Sequence, residues 1–175
     1  VESATAPKVR YVGNLALPAK EKGMEPIAGR IIEMPQDEEQ GETLRNPHSG
    51  FVAYVPPGSI KKGQDLVTTG GMKIVGGKIV QGKTTACGTC HGLNLTGVVG
   101  ADVPPIAGRS PSYLVRQLWD IQQGTRNGAQ AQLMKLVVAN LTTDDLVAIA
   151  SYVSSRPQNA PQTIAPVATN RTVER

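Results

Sequence analysis

Aromatic residues are scarce in this chain: one Phe, one Trp and four Tyr, 3% of 175 residues. That is little flat apolar mass for a core of this size. Eighteen Lys and Arg stand against 14 Asp and Glu, a net charge of +4, but the basic residues are scattered. Without clustered bases or interleaved aromatics, nucleic acid is excluded as a partner. No apolar run reaches the roughly 20 residues that a helix needs to span a bilayer, so no transmembrane segment is expected. Cysteine and histidine are down to two each. No Ser-His-Asp set, paired carboxylates or Gly-rich phosphate loop is present to suggest hydrolytic or phosphoryl chemistry.

Both cysteines and one of the histidines fall in a single stretch, Ala86-Cys87-Gly88-Thr89-Cys90-His91-Gly92. A structural zinc site needs four ligands, and the distant His48 would have to complete this one. A thioredoxin-like redox pair needs a βαβ frame, which the flanking sequence lacks. C-x-x-C-H is also the attachment signature of c-type haem. Each thiol adds across one vinyl group of the porphyrin, and the next residue supplies an imidazole to the iron. Gly92 leaves the backbone room to turn away. One covalent haem c is therefore the expected cofactor, with Cys87 and Cys90 as its anchors and His91 as proximal ligand. The porphyrin would also supply the flat apolar mass that the composition lacks. Attachment requires reduced thiols outside the cytoplasm. The expected location is the bacterial periplasm or the periplasmic side of a membrane, and the start at Val1 reads as the trace of a removed export signal.

Three regions differ in texture. Residues 1–57 carry prolines at 7, 18, 26, 35, 47, 56 and 57, which forbid any long helix. Short extended runs remain at 8–12, 27–32 and 51–55. The expectation is an irregular proline-rich extension laid over the rest through Phe51, Tyr54 and Val55. Residues 58–157 read as the haem domain. A helix spans 58–69, with Ser59 as its cap and Gly70-Gly71 as its stop. Two β-branched runs around Gly76-Gly77 predict an inserted β-hairpin. The segment 93–108 is loop. Ser110-Pro111 opens a helix that stops at Gly124, a shorter helix covers 129–139, and Thr142 with Asp145 forms a capping box for the last. Residues 158–175 read as a polar tail.

This order of motif, proline-bearing loop and helices resembles the class I cytochrome c family, in its bacterial c553/c4-like branch. The segments 106–118 and 141–153 are similar to the parts of that branch after the haem loop and in its C-terminal helix. The resemblance covers about 58–157 and implies a mainly α fold of three to five short helices around one haem. It also implies site roles. The Pro104 carbonyl would accept the His91 Nδ1 hydrogen, Met134 would be the sixth ligand of the iron, and Arg109 and Tyr113 would contact a propionate. Met72 and His48 are the rival sixth ligands. A thioether raises the potential and closes the site to substrates. The expected function is single-electron transfer to redox protein partners, not enzymatic turnover. A fixed haem subunit docked in a membrane or dehydrogenase complex is the alternative.

Overall fold

The helices begin and end where the capping chemistry dictates. In the computed structural model, which describes residues 1–158, α1 spans Ser59–Thr69, α2 Gly88–His91, α3 Pro111–Gln123, α4 Ala131–Val138 and α5 Thr143–Ser154. Ser110 caps α3 by accepting from Tyr113 N at 3.2 Å, with Pro111 in the first turn. Thr142 and Asp145 form a reciprocal capping box on α5. The cap of α1 differs from expectation. Gly58, at φ 78°, takes the cap position, and the Ser59 hydroxyl is buried with no partner among the described residues. The Glu2 carboxylate accepts from Ile60 N at 2.8 Å instead. A charge from the start of the chain thus answers the orphan N–H groups of α1.

The core forms where α1 and α3 pack on α5. Leu66, Leu114, Leu146, Ile149 and Val153 lie at its centre. Gly63 permits the closest approach, because a Cβ there would collide with the Ala148 carbonyl oxygen on α5. α4 is shorter than the expected 129–139 helix and buries only Val138 fully.

The N-terminal part is more regular than its prolines suggest. β1 (Thr5–Pro7) pairs with β4 (Met24–Pro26), β2 (Val9–Val12) with β3 (Leu15–Pro18), and β5 (Ile32–Pro35) with β6 (Phe51–Tyr54), all antiparallel. Pro7, Pro18, Pro26 and Pro35 each occupy the last position of a strand. A residue without an N–H ends a ladder at little cost there, so the prolines punctuate the pairs instead of preventing them. The expected run 27–32 is broken by a turn, with positive φ at Ala28 and Gly29. One wide helical turn, Glu39–Thr43, follows β5. Ala6, Ile27, Ile32 and Met34 make a second small core, with Val52 and Tyr54 against it.

Charge and packing tie this part to the helices. Glu33 accepts from Ser110 Oγ at 2.7 Å and from Ser112 N at 3.2 Å, at the start of α3. Ile31 packs on the main core. Val55 is buried, but Phe51 is 46% exposed and does not anchor the segment as expected. A fourth strand pair, β7 (Lys73–Val75) with β8 (Lys78–Val80), is the hairpin foreseen around Gly76-Gly77, whose φ values are 57° and 75°. Of the expected tail, only Gln158 lies within the described residues; it donates to Gly108 O at 2.8 Å.

Candidate functional site

The segment entering the C-x-x-C-H stretch is pinned before the chemistry begins. Thr84 N donates to Gly70 O at 3.2 Å, Thr84 Oγ1 to Val137 O at 2.6 Å, and Cys87 N to Val67 O at 2.9 Å. These bonds fix Cys87 between the end of α1 and the end of α4. α2 then starts from the Cys87 carbonyl, which accepts from His91 N at 2.9 Å. One tight turn therefore sets Cys87, Cys90 and His91 in fixed relation.

Their environments differ. Both thiols are free; Cys87 is half-buried and Cys90 exposed. Burial pushes the Cys87 thiol up to about 11, against a backbone hydrogen bond that lowers it. A redox-active C-x-x-C needs the opposite, a thiol pulled down toward neutrality. His91 is buried, at 7% exposure. Its Nδ1 lies 2.9 Å from the Pro104 carbonyl oxygen, which orients the ring and leaves Nε2 as the atom with ligating capacity. The loop after α2 holds Pro104 in place. Gly97 N donates to His91 O, and Ile106 and Ala107 N both donate to Leu95 O.

The four methionines separate by position. Met24 is 55% and Met72 46% exposed, and Met34 belongs to the N-terminal core. Met134 packs on the main core, against which Cys87 also packs. Its neighbours Leu133 and Leu136 are 72% and 81% exposed, so they do not shield it from water as their hydrophobicity suggests. Arg109 is exposed and donates Nε to Pro105 O at 2.9 Å, while Tyr113 is 44% exposed on the first turn of α3. His48 sits on an exposed turn, with its backbone N donating to Asn46 Oδ1. Among the described residues, no three His, Cys, Asp or Glu side chains converge into a metal-holding group.

The residues present fit a covalent haem. Two free thiols flank one turn, and an oriented, buried imidazole follows directly. The buried Thr96 hydroxyl nearby has no partner among the described residues.

Sequence reasoning missed one group. Asp145, fully buried, pairs with Lys62 at 2.8 Å and Lys83 at 2.9 Å in addition to its cap role. Burial alone would raise its carboxyl; hydrogen bonds from Lys62, Lys83 and Thr142 outweigh this and hold it well below the usual carboxylate range. The aspartate thereby ties α1, the segment before Cys87 and α5 to one point.

Residues 74–157 match the family model for cytochrome c. Cytochrome c-554(548) of Halomonas halodenitrificans is 32% identical over 74 residues, which cover 42% of this chain and 88% of that protein. Cytochrome c4 of Stutzerimonas stutzeri is 30% identical over 138 residues, 74% of this chain and 62% of that one. That span exceeds residues 58–175, so this similarity reaches into the N-terminal part. A thiosulfate dehydrogenase electron acceptor of Stutzerimonas stutzeri strain A1501 is 41% identical over 66 residues, 38% of this chain and 30% of that protein. The chain spans about half the length of the cytochromes c4 it matches.

Proposed function

The chain belongs to the cytochrome c family, and from that premise we propose that it is a single-electron carrier with one covalent haem c and His91/Met134 axial ligation. When bound, the haem supplies a one-electron ferric/ferrous couple. Cys87 and Cys90 would hold it through two thioether bonds, each S–H adding across one vinyl substituent. His91 would hold the iron through Nε2, because Nδ1 is engaged at the Pro104 carbonyl. That contact is the observation carrying the reading, since it fixes the tautomer and raises the basicity of the ligating nitrogen. Met134 supports the other half of the axial pair, being the methionine that packs on the same core as Cys87. A thioether there favours ferrous iron and occupies the position that a substrate needs. Arg109 and Tyr113, both exposed beside the loop, are assigned to the propionates.

The haem domain is assigned to residues 58–157, with 1–57 as an extension bound to it and 158–175 as a tail. The location that goes with this reading is outside the cytoplasm, on the periplasmic side, because haem c attachment needs reduced thiols there. Its partners are redox proteins, a reading to which the electron-acceptor relative adds weight. No single helix among the described residues is long and apolar enough to cross a membrane. The visible spectrum of the purified protein is the test. Sharp ferrous α and β bands with a weak sulfur-to-iron band in the oxidised form are expected, and the weak band is lost in Met134→Ala. Gel filtration of native extract separates a free carrier, which elutes small, from a fixed haem subunit, which co-elutes with its enzyme.

A further inference from the structure

The hairpin β7–β8 stands clear of the rest of the described chain. Every residue from Met72 to Gln81 is exposed, and the two strands pair only with each other. Ile74 is 74% exposed, Ile79 66%, Val75 61% and Val80 49%. A two-stranded hairpin is marginal in water, and β-branched side chains without cover give it no core of its own. The register opposes Ile74 to Ile79, making one face apolar with Met72 beside them. On the other face Lys73 opposes Val80, and Val75 opposes Lys78. No acidic residue occurs from Leu66 through Ala101. Lys83, the third lysine of that stretch, is committed to Asp145, so Lys73 and Lys78 are the charges that the hairpin presents.

The base of the hairpin is rigid and lies beside the haem anchors. Thr84 joins Gly70 on one side and Val137 of α4 on the other, and Cys87 follows three residues later. A body seated on the hairpin would therefore sit next to the segment that carries Cys87 and close to the end of the helix that carries Met134.

We propose that this hairpin is the docking surface for the protein's redox partner, a protein presenting an apolar centre edged by Asp and Glu carboxylates. The proposal rests on the electron-carrier reading and names where that carrier is met. Such a partner fits the hairpin better than other occupants do, on three grounds. Among the described residues both outer strand edges carry unpaired backbone groups, which lipid cannot satisfy and a protein surface can. The hairpin also lacks the Trp, Phe and Leu of interfacial membrane anchors. A second copy of this chain would bring Lys73 and Lys78 against like charge, whereas carboxylates complement them.

The test uses the intact holoprotein and the soluble extract and membranes of the cell that makes it. Electron exchange is followed by stopped-flow for wild type, for Ile74→Ser with Ile79→Ser, and for Lys73→Glu with Lys78→Glu. Neutral hydroquinone serves as a partner-independent reductant. Wild-type exchange should slow with added salt, and each double variant should be slower by roughly tenfold or more. Haem spectrum, thermal midpoint and hydroquinone reduction should match wild type in both. Exchange at the wild-type rate in both variants overturns the docking surface and leaves the carrier reading standing. So does a hairpin-dependent dimer in sedimentation, or hairpin-dependent binding to phosphatidylglycerol vesicles. A wild type that hydroquinone reduces but that exchanges no electrons with either fraction overturns the carrier reading, and the docking surface with it.

Discussion

Met134 and Asp145 are two side chains on which single substitutions read out the account. Met134→His is expected to keep the iron six-coordinate and lower the reduction potential, because a nitrogen donor favours ferric iron. Met134→Ala is expected to open the position to water and small ligands. Potentiometric titration checks the first, and binding of added imidazole the second. Asp145 acts on stability. Its folded carboxyl lies below its unfolded value of about 4, so its contribution is fully present above that pH and is lost as pH falls through the folded value. Asp145→Asn should cost about 2 kcal/mol at neutral pH, less than a fully buried pair, because Lys62 and Lys83 are half-exposed. The variant should also show a flatter acid limb in denaturation from pH 7 downward. The C-x-x-C-H motif is legible in the sequence because it is local, one turn holding Cys87, Cys90 and His91 together. The Asp145–Lys83 pair is not, since its partners are 62 positions apart and each reads as an ordinary cap or surface charge.

At the scale of elements, α3 and α5 follow from their caps and apolar spacing, and the hairpin from its paired glycines. α1 was legible in extent but not in how it begins, because Glu2 reaches it across 58 positions. The exposure of the side chains next to Met134 is not legible in the sequence, for another reason. Leu133 and Leu136 lie three apart, on the side of α4 facing away from the core, and hydrophobicity alone does not say which side that is. The contact of α1 with α5 gives the sharpest test. Gly63→Ala puts a methyl into the Ala148 carbonyl, where backbone cannot yield, so a loss of about 3 kcal/mol in denaturant unfolding is expected. Glu33→Gln removes a charge from the start of α3 and should cost about 1 kcal/mol, measured the same way.

Across the whole molecule, Glu2, Glu33 and Ile31 tie the N-terminal strand pairs to the helical part. The prolines concealed this, since as a composition they read as irregular chain, while as strand ends they define three antiparallel pairs. Removing residues 1–57 is expected to leave the haem spectrum intact and lower the thermal midpoint, because the helices lose caps and not iron ligands. The central claim is that Cys87 and Cys90 hold a haem. Acid–acetone extraction of the purified protein, followed by an alkaline pyridine spectrum of the precipitated polypeptide, measures that directly. The account predicts that the colour stays with the polypeptide, with the spectrum of a haem bearing two saturated vinyl positions, and that it is gone when Cys87 and Cys90 are both replaced by Ala. A colourless polypeptide from the wild type, with any haem in the acetone phase, would contradict it.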